Sequence, residues 1–379
     1  MKQTLLPGIV LPQRPAPSRK DAQWPSTAEL LTALAACDLP AAAPSAILER
    51  DTERASLSGM LSPQDPRILP SLKALQEACA RACLPWRDAR WVFLYGREGY
   101  AELAVAALSG KPICLFADAA NTPDLIARFL LDRGVDWHSM HVFENICQEQ
   151  KSSCVCSLPE ATSRDFGPAC TVLLIPGAPL RSPYLGMPDA QLAGESGMLA
   201  AESIRAAALA DLRIRPDDLV WDLGAGSGAL ALEACALAYR SLVFAVERDP
   251  ARVLCIEENR RRFGAANLEI VVGNAPDCLR SLPDPEAVLI DGGLGKAEDF
   301  HLLLKLVCSR LKPRGRLTMY CVFMDSLERC RAFLETMKWE TRIRCIQVSE
   351  TSPVDTDRRL AARNPVFLIS AEKHAEENE

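Results

Sequence analysis

One stretch constrains this chain more than any other: Val220-Trp221-Asp222-Leu223-Gly224-Ala225-Gly226-Ser227-Gly228. A short apolar run leads into alternating glycines and then an alanine-rich segment from about Ala229 to Tyr239. The pattern predicts a strand, a sharp turn and a helix. Glycines at 224, 226 and 228 let the backbone turn and leave no Cβ between the loop and a ligand. The helix that follows offers its unpaired N–H groups to that ligand, which makes the stretch a cradle for a nucleotide-type cofactor. Asp222, at the strand end, can orient the loop or meet a positively charged part of the ligand.

The glycines alone leave two cofactors open. The stretch satisfies G-x-G-x-x-A with Ala229 last, as a dinucleotide fold requires. The next strand, Leu242-Val243-Phe244-Ala245-Val246-Glu247, ends in an acid suited to the paired hydroxyls of a ribose, and that acid serves NAD and S-adenosylmethionine (SAM) equally. The denser D-x-G-x-G-x-G spacing that starts at Asp222 resembles motif I of the SAM-dependent methyltransferases.

Around this centre the chain divides into four parts. Residues 1–68 are rich in proline and read as partly irregular, with one helix at Thr27–Cys37 opened by Ser26. Residues 69–180 alternate helix and strand. Helices are expected at Ser71–Cys83, Tyr100–Leu108 and Thr122–Arg133, and strands at Trp91–Tyr95, Pro112–Ala117, His141–Phe143 and Thr171–Ile175. Residues 181–200, with several prolines and glycines, read as a linker. Residues 201–373 form the cofactor domain, in which strands at 268–274, 287–292 and 316–322 alternate with helices at Ala251–Phe263, Asp277–Ser281 and Ala297–Leu311. Strands at Ile343–Val348 and Pro365–Ser370, joined by a loop, close the sheet as an antiparallel pair. The expected class is therefore α/β: a seven-stranded, doubly wound Rossmann-like sheet preceded by a smaller α/β domain. Ligands of such sheets sit at the carboxyl ends of the strands, which places Gly224–Gly228, Glu247, Asn274 and Asp291 on one crevice.

Composition narrows the function. The 379 residues carry a net charge of −6 with no basic tract, which argues against a nucleic-acid partner. No apolar run is long enough for a membrane span, and the amino terminus lacks a signal-peptide core before Pro7, so a cytoplasmic protein is expected. The 15 cysteines are scattered and form no C-x-x-C pair, which points to a reducing compartment and to no metal site.

The carboxyl-terminal half carries a more specific signature. Gly197-Met198-Leu199, Ile204-Arg205-Ala206, Trp221–Gly228, Glu247-Arg248-Asp249-Pro250, Glu258-Asn259, Gly273-Asn274-Ala275-Pro276, Gly292-Gly293, Leu311-Lys312-Pro313 and Asn364-Pro365-Val366-Phe367 together resemble the decarboxylating precorrin methyltransferases of cobalamin biosynthesis. The middle segment, through Cys83–Ala89, Gly96-Arg97, Ala117-Asp118 and Glu144-Asn145, resembles the carboxyl-terminal part of a tetrapyrrole methylase domain. That domain precedes the first in the bifunctional precorrin-6Y C(5),C(15)-methyltransferases. Its usual Gly-x-Gly-Pro-Gly loop is not found before Leu69, where only Gly8 and Gly59 occur, so the first methylation site is expected to be inactive and one methyl to be transferred.

The resemblance implies a role for each motif. Asp222, Gly224, Ala225, Gly226 and Gly228 would hold the methionine part of SAM, Glu247 the ribose, and Asn274 and Ala275 the adenine, with Asp291 a further cofactor-binding residue. A precorrin or cobalt-precorrin ring bears many carboxylates, for which guanidinium forks are suited. Arg205 is the first candidate for that contact, and Arg358 and Arg359 the second. A homo-oligomer is expected; no side chain stands out as catalytic. This chain has Ala200-Ala201 where the family has Thr-Lys, Ser203 for Glu, Asn274 for Asp and Tyr320 for Asn. Those departures keep two alternatives in view, a methyltransferase with a changed substrate and a non-catalytic tetrapyrrole carrier. Intact glycines speak against the carrier.

Overall fold

The computed structural model describes residues 68–85, 89–94, 96–97, 99–117, 120–146, 152–167, 170–179, 181–194, 201–291, 297–354 and 357–375. The proline-rich segment, with its expected helix at Thr27–Cys37, lies outside them. The chain forms two compact units, one from residues up to 178 apart from 132–135, the other from 179 onward with 132–135.

The first unit runs α1 (Ile68–Arg81), β1 (Arg90–Leu94), α2 (Tyr100–Ala107), β2 (Ile113–Ala117), α3 (Pro123–Asp132), β3 (His138–Glu144), β4 (Ser152–Ser157), α4 (Leu158–Ala161) and β5 (Cys170–Pro176). Its sheet has the order β1-β2-β5-β3-β4, with only β1 and β2 parallel. Strand β4, sequence SSCVCS, and the short α4 were not expected. The strand carries no large apolar alternation, and Val155 faces solvent at 62% exposure. A capping box starts α4, with the Ser157 hydroxyl accepting from the Glu160 N–H and the Glu160 carboxylate accepting from the Ser157 N–H.

The second unit contains α5 (Glu202–Leu212), β6 (Val220–Leu223), α6 (Ala229–Leu237), β7 (Val243–Glu247), α7 (Pro250–Phe263), β8 (Leu268–Val272), β9 (Ala287–Asp291), α8 (Ala297–Arg310), β10 (Arg316–Cys321), α9 (Met324–Thr336), β11 (Thr341–Ile346), β12 (Ser349–Val354), β13 (Asp357–Ala362) and β14 (Val366–Glu372). Strands β6 and β7 are buried along their whole length, as central parallel strands covered on both faces must be. The sheet order is β11-β14-β10-β9-β6-β7-β8, and β14 runs antiparallel to both neighbours. A dinucleotide fold instead continues outward with its sixth strand next to the fifth. Here the last strand inserts between the fifth and sixth, which is the arrangement of the class I methyltransferases and removes the dinucleotide alternative.

Three details differ from the expected layout. Helix α9 fills an interval left unassigned; its buried Leu327, Cys330 and Leu334 lie on one face at helical spacing. The loop expected at 349–364 is a two-stranded ribbon, β12 with β13, pairing Ser352 with Arg359 and Pro353 with Arg358. The stretch read as a linker does not hang free, since its described part packs into the second unit, with Met187 fully buried and Leu192 at 7% exposure against α5 and α6.

Candidate functional site

The register places the expected site residues with little freedom. Asp222 pairs with Ala245 on one side and Leu289 on the other. Glu247 lies two residues beyond Ala245, Asp291 two beyond Leu289, and Asp291 pairs with Tyr320 on β10. Residues two apart on a strand share a face, so Asp222, Glu247, Asp291 and Tyr320 stand on one side of the sheet at its carboxyl edge. Asn274 follows β8 at the far end of this row. At about 4.8 Å between strands, the four steps from β8 to β10 span about 19 Å.

Asp222 is the anomaly of the row. It is 1% exposed, and neither carboxylate oxygen has a hydrogen-bond partner of good geometry. Burial drives its pKa well above the ordinary carboxylate range, the neighbouring Asp291 and Glu247 charges add to this, and the nearby Ala231 N–H offsets only part. An isolated buried carboxylate is costly to keep ionised, which favours the protonated form. Asp291 retains some solvent exposure, yet the protein crowds its carboxyl enough to push it up to about 6, against a small opposing effect of Arg252. Tyr320 is pushed up to about 12 by burial and by Asp291, with Arg363 opposing.

The glycine loop is fixed by the strand beside it. Gly224 and Ala225 both donate to the Val246 carbonyl, at 3.0 and 3.1 Å. Glu247 is buried and accepts from Gly226 N–H at 2.9 Å, from Arg248 N–H at 2.9 Å and from Asp249 N–H at 3.0 Å. A carboxylate offers about four acceptor positions, so little capacity remains until Gly226 lets go. Gly228 caps α6 at φ 78°, and a Cβ there would meet the Ile256 side chain of α7 at 2.9 Å. Only glycine fits that contact. Helix α7 begins as its sequence requires, with Pro250 first and the Asp249 side chain accepting from Ala251 N–H at 2.9 Å. Asn274 is exposed, and Ala275 packs against the buried cluster on the opposite face of the sheet.

Arg205 requires a correction. It was expected to meet substrate carboxylates, but it is 1% exposed and fully engaged inside the fold. Its Nε donates to Glu233 Oε1 at 2.8 Å, and its other nitrogens donate to Asp189 and to the Met187 carbonyl. Glu233, on α6 and also buried, accepts in addition from the N–H groups of Gly186 at 2.8 Å and Met187 at 3.3 Å. Burial alone would lower the Arg205 pKa, but Asp189 and Glu233 outweigh it. In this chain the arginine ties α5 and α6 to the 186–189 segment.

A second clip escaped the sequence reading. Asn259, fully buried on α7, accepts from Ala193 N–H at 2.7 Å and donates to the carbonyls of Ala193 at 3.0 Å and Ser227 at 2.9 Å. It pins the chain before α5 against the glycine loop. The signal was present in Glu258-Asn259, but nothing in sequence says what a helical asparagine touches.

Arg358 and Arg359 are exposed on β13. As consecutive residues of a ribbon they point to opposite faces, so a single ligand on one face can meet only one of them. Arg363, at the ribbon's base, pairs with Glu350 at 2.9 Å and acts on Tyr320. His138, buried with neither ring nitrogen partnered, is held down to about 4 by burial. His141 pairs with Ser139, His301 packs edge-on against Phe333 and His374 reaches the Lys338 carbonyl.

The residues fit an S-adenosyl cofactor: a glycine loop whose Gly228 cap admits no Cβ against Ile256, an acid over the second strand, and an orphaned buried carboxyl able to answer a cationic ligand. By topology and site the second unit is a class I methyltransferase fold. Residues 192–373 match the precorrin methyltransferase domain family. The cobalt-precorrin-6B C(15)-methyltransferase (decarboxylating) of Salmonella typhimurium is 35% identical over 192 residues, 49% of this chain and 94% of that relative. The chain belongs to the family of decarboxylating precorrin methyltransferases. A precorrin-6Y C(5,15)-methyltransferase from a Sinorhizobium is 26% identical over 274 residues, 71% of this chain and 65% of that protein. That alignment is longer than the second unit can hold, so it runs into the first. A crystal structure of precorrin-6y C5,15-methyltransferase from Geobacter metallireducens covers 50% of this chain at 32% identity, with a TM-score of 0.48. Among the described residues no helix is long and apolar enough to cross a membrane, and no cluster of acids, cysteines and histidines is arranged to hold a metal ion.

Proposed function

We propose that this chain transfers a methyl group from SAM to ring carbon 15 of a precorrin or cobalt-precorrin, with loss of a ring acetate as CO₂, in cobalamin biosynthesis. The observation that carries the reading is Asp222, a buried carboxyl without a partner directly under the glycine loop, in a chain of this family. When bound, SAM supplies an electrophilic methyl group. The chain's residues have to hold it, exclude water and align the acceptor carbon, so positioning carries much of the acceleration.

In this reading Gly224, Ala225, Gly226 and Gly228 hold the methionine part with Asp222 beneath it. Glu247 takes the ribose hydroxyls by exchanging its Gly226 contact, and Asn274 and Ala275 border the adenine. The order along the sheet edge then leaves the β9 and β10 ends, with Asp291 and Tyr320, for the methyl acceptor. Arg358 or Arg359, with Arg363, meets the ring's carboxylates. Val322, Phe323 and Met324, exposed at 45, 72 and 63% just beyond β10, supply an apolar surface for a flat macrocycle.

The test is mass spectrometry of the product made by purified protein from excess SAM and a precorrin-6B-type substrate. One methyl gained with one CO₂ lost is expected. Two methyls gained would mean that the first unit is also active, and no methyl gained would sink the reading. Tyr320, a phenol where the family has an amide, favours a second reading in which the substrate has changed; SAM binding without precorrin turnover would select it. A homo-oligomer is part of the proposal and is checked by light scattering.

A further inference from the structure

Decarboxylation leaves a chemical debt that methyl transfer does not settle. When the bond from the ring acetate's methylene to its carboxylate breaks, CO₂ departs and the electron pair stays on the methylene carbon, delocalised into the conjugated ring. That carbon becomes a methyl group only by gaining a proton. Water can deliver it, but a crevice that excludes water has to provide its own acid.

We propose that Asp291 is that acid, donating its carboxyl proton to the methylene carbon as CO₂ leaves. The proposal rests on the reading above and adds the residue that completes its second half. The balance is simple: one C–C bond breaks, one C–H bond forms, and Asp291 is left as a carboxylate that regains its proton from solvent.

Placement argues for it first. Asp291 ends β9, pairs in register with Tyr320 on β10, and stands on the same face as Asp222 and Glu247. If the cofactor runs from Asn274 toward β6, Asp291 is the next group along the edge, where the acceptor ring must lie. Unlike Glu247, it accepts no hydrogen bond from any described residue and keeps partial access to solvent, so its proton is free to leave and be replaced. Asp222 is an independent sign in the same row, since both its oxygens are buried without a partner of good geometry.

The surroundings then set the protonation state. Facing Asp291 are Asp222 on β6 and Tyr320 on β10, with Glu247 on β7 beyond Asp222, Arg252 on α7, and Arg363 at the base of the ribbon, which acts on Tyr320. Burial dominates and brings the carboxyl to about 6, so roughly a tenth of the molecules hold the proton at pH 7 and about half at pH 6, while the conjugate base is still readily reprotonated. A carboxyl at its ordinary value would be almost wholly ionised there.

The experiment compares wild type with Asp291→Asn and Asp291→Glu, reading SAM affinity by calorimetry and product masses across pH 5–8. In the wild type the share of methylated product that has also lost CO₂ should fall as pH rises through about 6. For Asp291→Asn, SAM affinity should stay within about threefold, and product that has gained a methyl but kept its CO₂ should become the main species at every pH. Asp291→Glu, which keeps an acid at the strand end, should restore part of the CO₂ loss. Wild-type decarboxylation by Asp291→Asn overturns the proposal and leaves the methyltransferase reading standing. Collapse of SAM binding in Asp291→Asn also overturns it, because Asp291 would then belong to the cofactor site. A wild type that transfers no methyl overturns both.

Discussion

Two sets of ionisable side chains in the second unit could hardly be treated more differently. In the knot of Arg205, Glu233 and Asp189, all three guanidinium nitrogens of Arg205 donate to acceptors and the Glu233 carboxylate accepts from Arg205 and from two backbone N–H groups. Asp222 has no partner of good geometry, and Asp291 accepts no hydrogen bond from any described residue. Both groups come from motifs that read alike in sequence, as charged residues flanking a glycine loop. The difference separates an ion pair satisfied within the chain from buried acids that the chain leaves without a partner, the group that the proposed function assigns to the ligand.

The sharpest way to break this comparison is to remove half of the knot. Arg205→Ala or Glu233→Ala strands a charge in the interior and should cost about 3–5 kcal/mol, read as a shift in the denaturant midpoint. If Arg205→Ala left stability intact and raised only the Michaelis constant for the ring, the architectural assignment would be wrong. Replacing both residues by apolar ones of similar volume should cost much less than the sum of the single changes.

Next in size is Glu247→Ala. A ribose held by charge-assisted hydrogen bonds at about 1.5–3 kcal/mol each predicts SAM binding weaker by about tenfold or more. Calorimetry showing an unchanged dissociation constant would remove Glu247 from the cofactor site.

The unpartnered acids make a smaller prediction about pH. Asp291 has a folded pKa raised from 3.8 to about 6, so the folded state binds the extra proton between those values. Its contribution to stability is fully present below the unfolded pKa and is lost as pH rises through about 6. The loss, on the order of 1–2 kcal/mol after screening by nearby water, should be absent in Asp291→Asn. A denaturation midpoint with identical pH dependence in both proteins would contradict the assigned environment. Smallest of all, Arg358→Ala and Arg359→Ala should differ: one raises the Michaelis constant a few-fold and the other leaves it unchanged, since the ribbon points them apart. Equal effects would show that the ribbon does not lie flat beside the ring.

How much of this could be read from the chain follows from the range of the interactions involved. The glycine loop, Glu247 and the Asp249-Pro250 helix start are local, each decided within a few residues, and the strands β6 to β10 advertise themselves as apolar runs. The β12–β13 ribbon was invisible because both faces meet solvent, which leaves no alternation to detect; Leu360 is 70% exposed. Arg205 misled for a different reason. An arginine beside a crevice motif looks the same whether its partner is a ligand or Glu233, and the pairing joins residues 28 positions apart. Only the folded chain shows which.

The Arg205–Glu233 knot has a consequence for where this protein can be cut. Glu233 sits on the helix that follows the glycine loop, yet two of its hydrogen bonds come from the backbone at 186 and 187. A version beginning at Ala201 would keep every cofactor motif and still leave Glu233 and Arg205 short of partners and Asn259 without Ala193. The seam along which the methyltransferase unit can be separated, or joined to a different neighbour, therefore lies upstream of Gly186, at the end of the first unit's last strand and not at the start of the recognisable motifs.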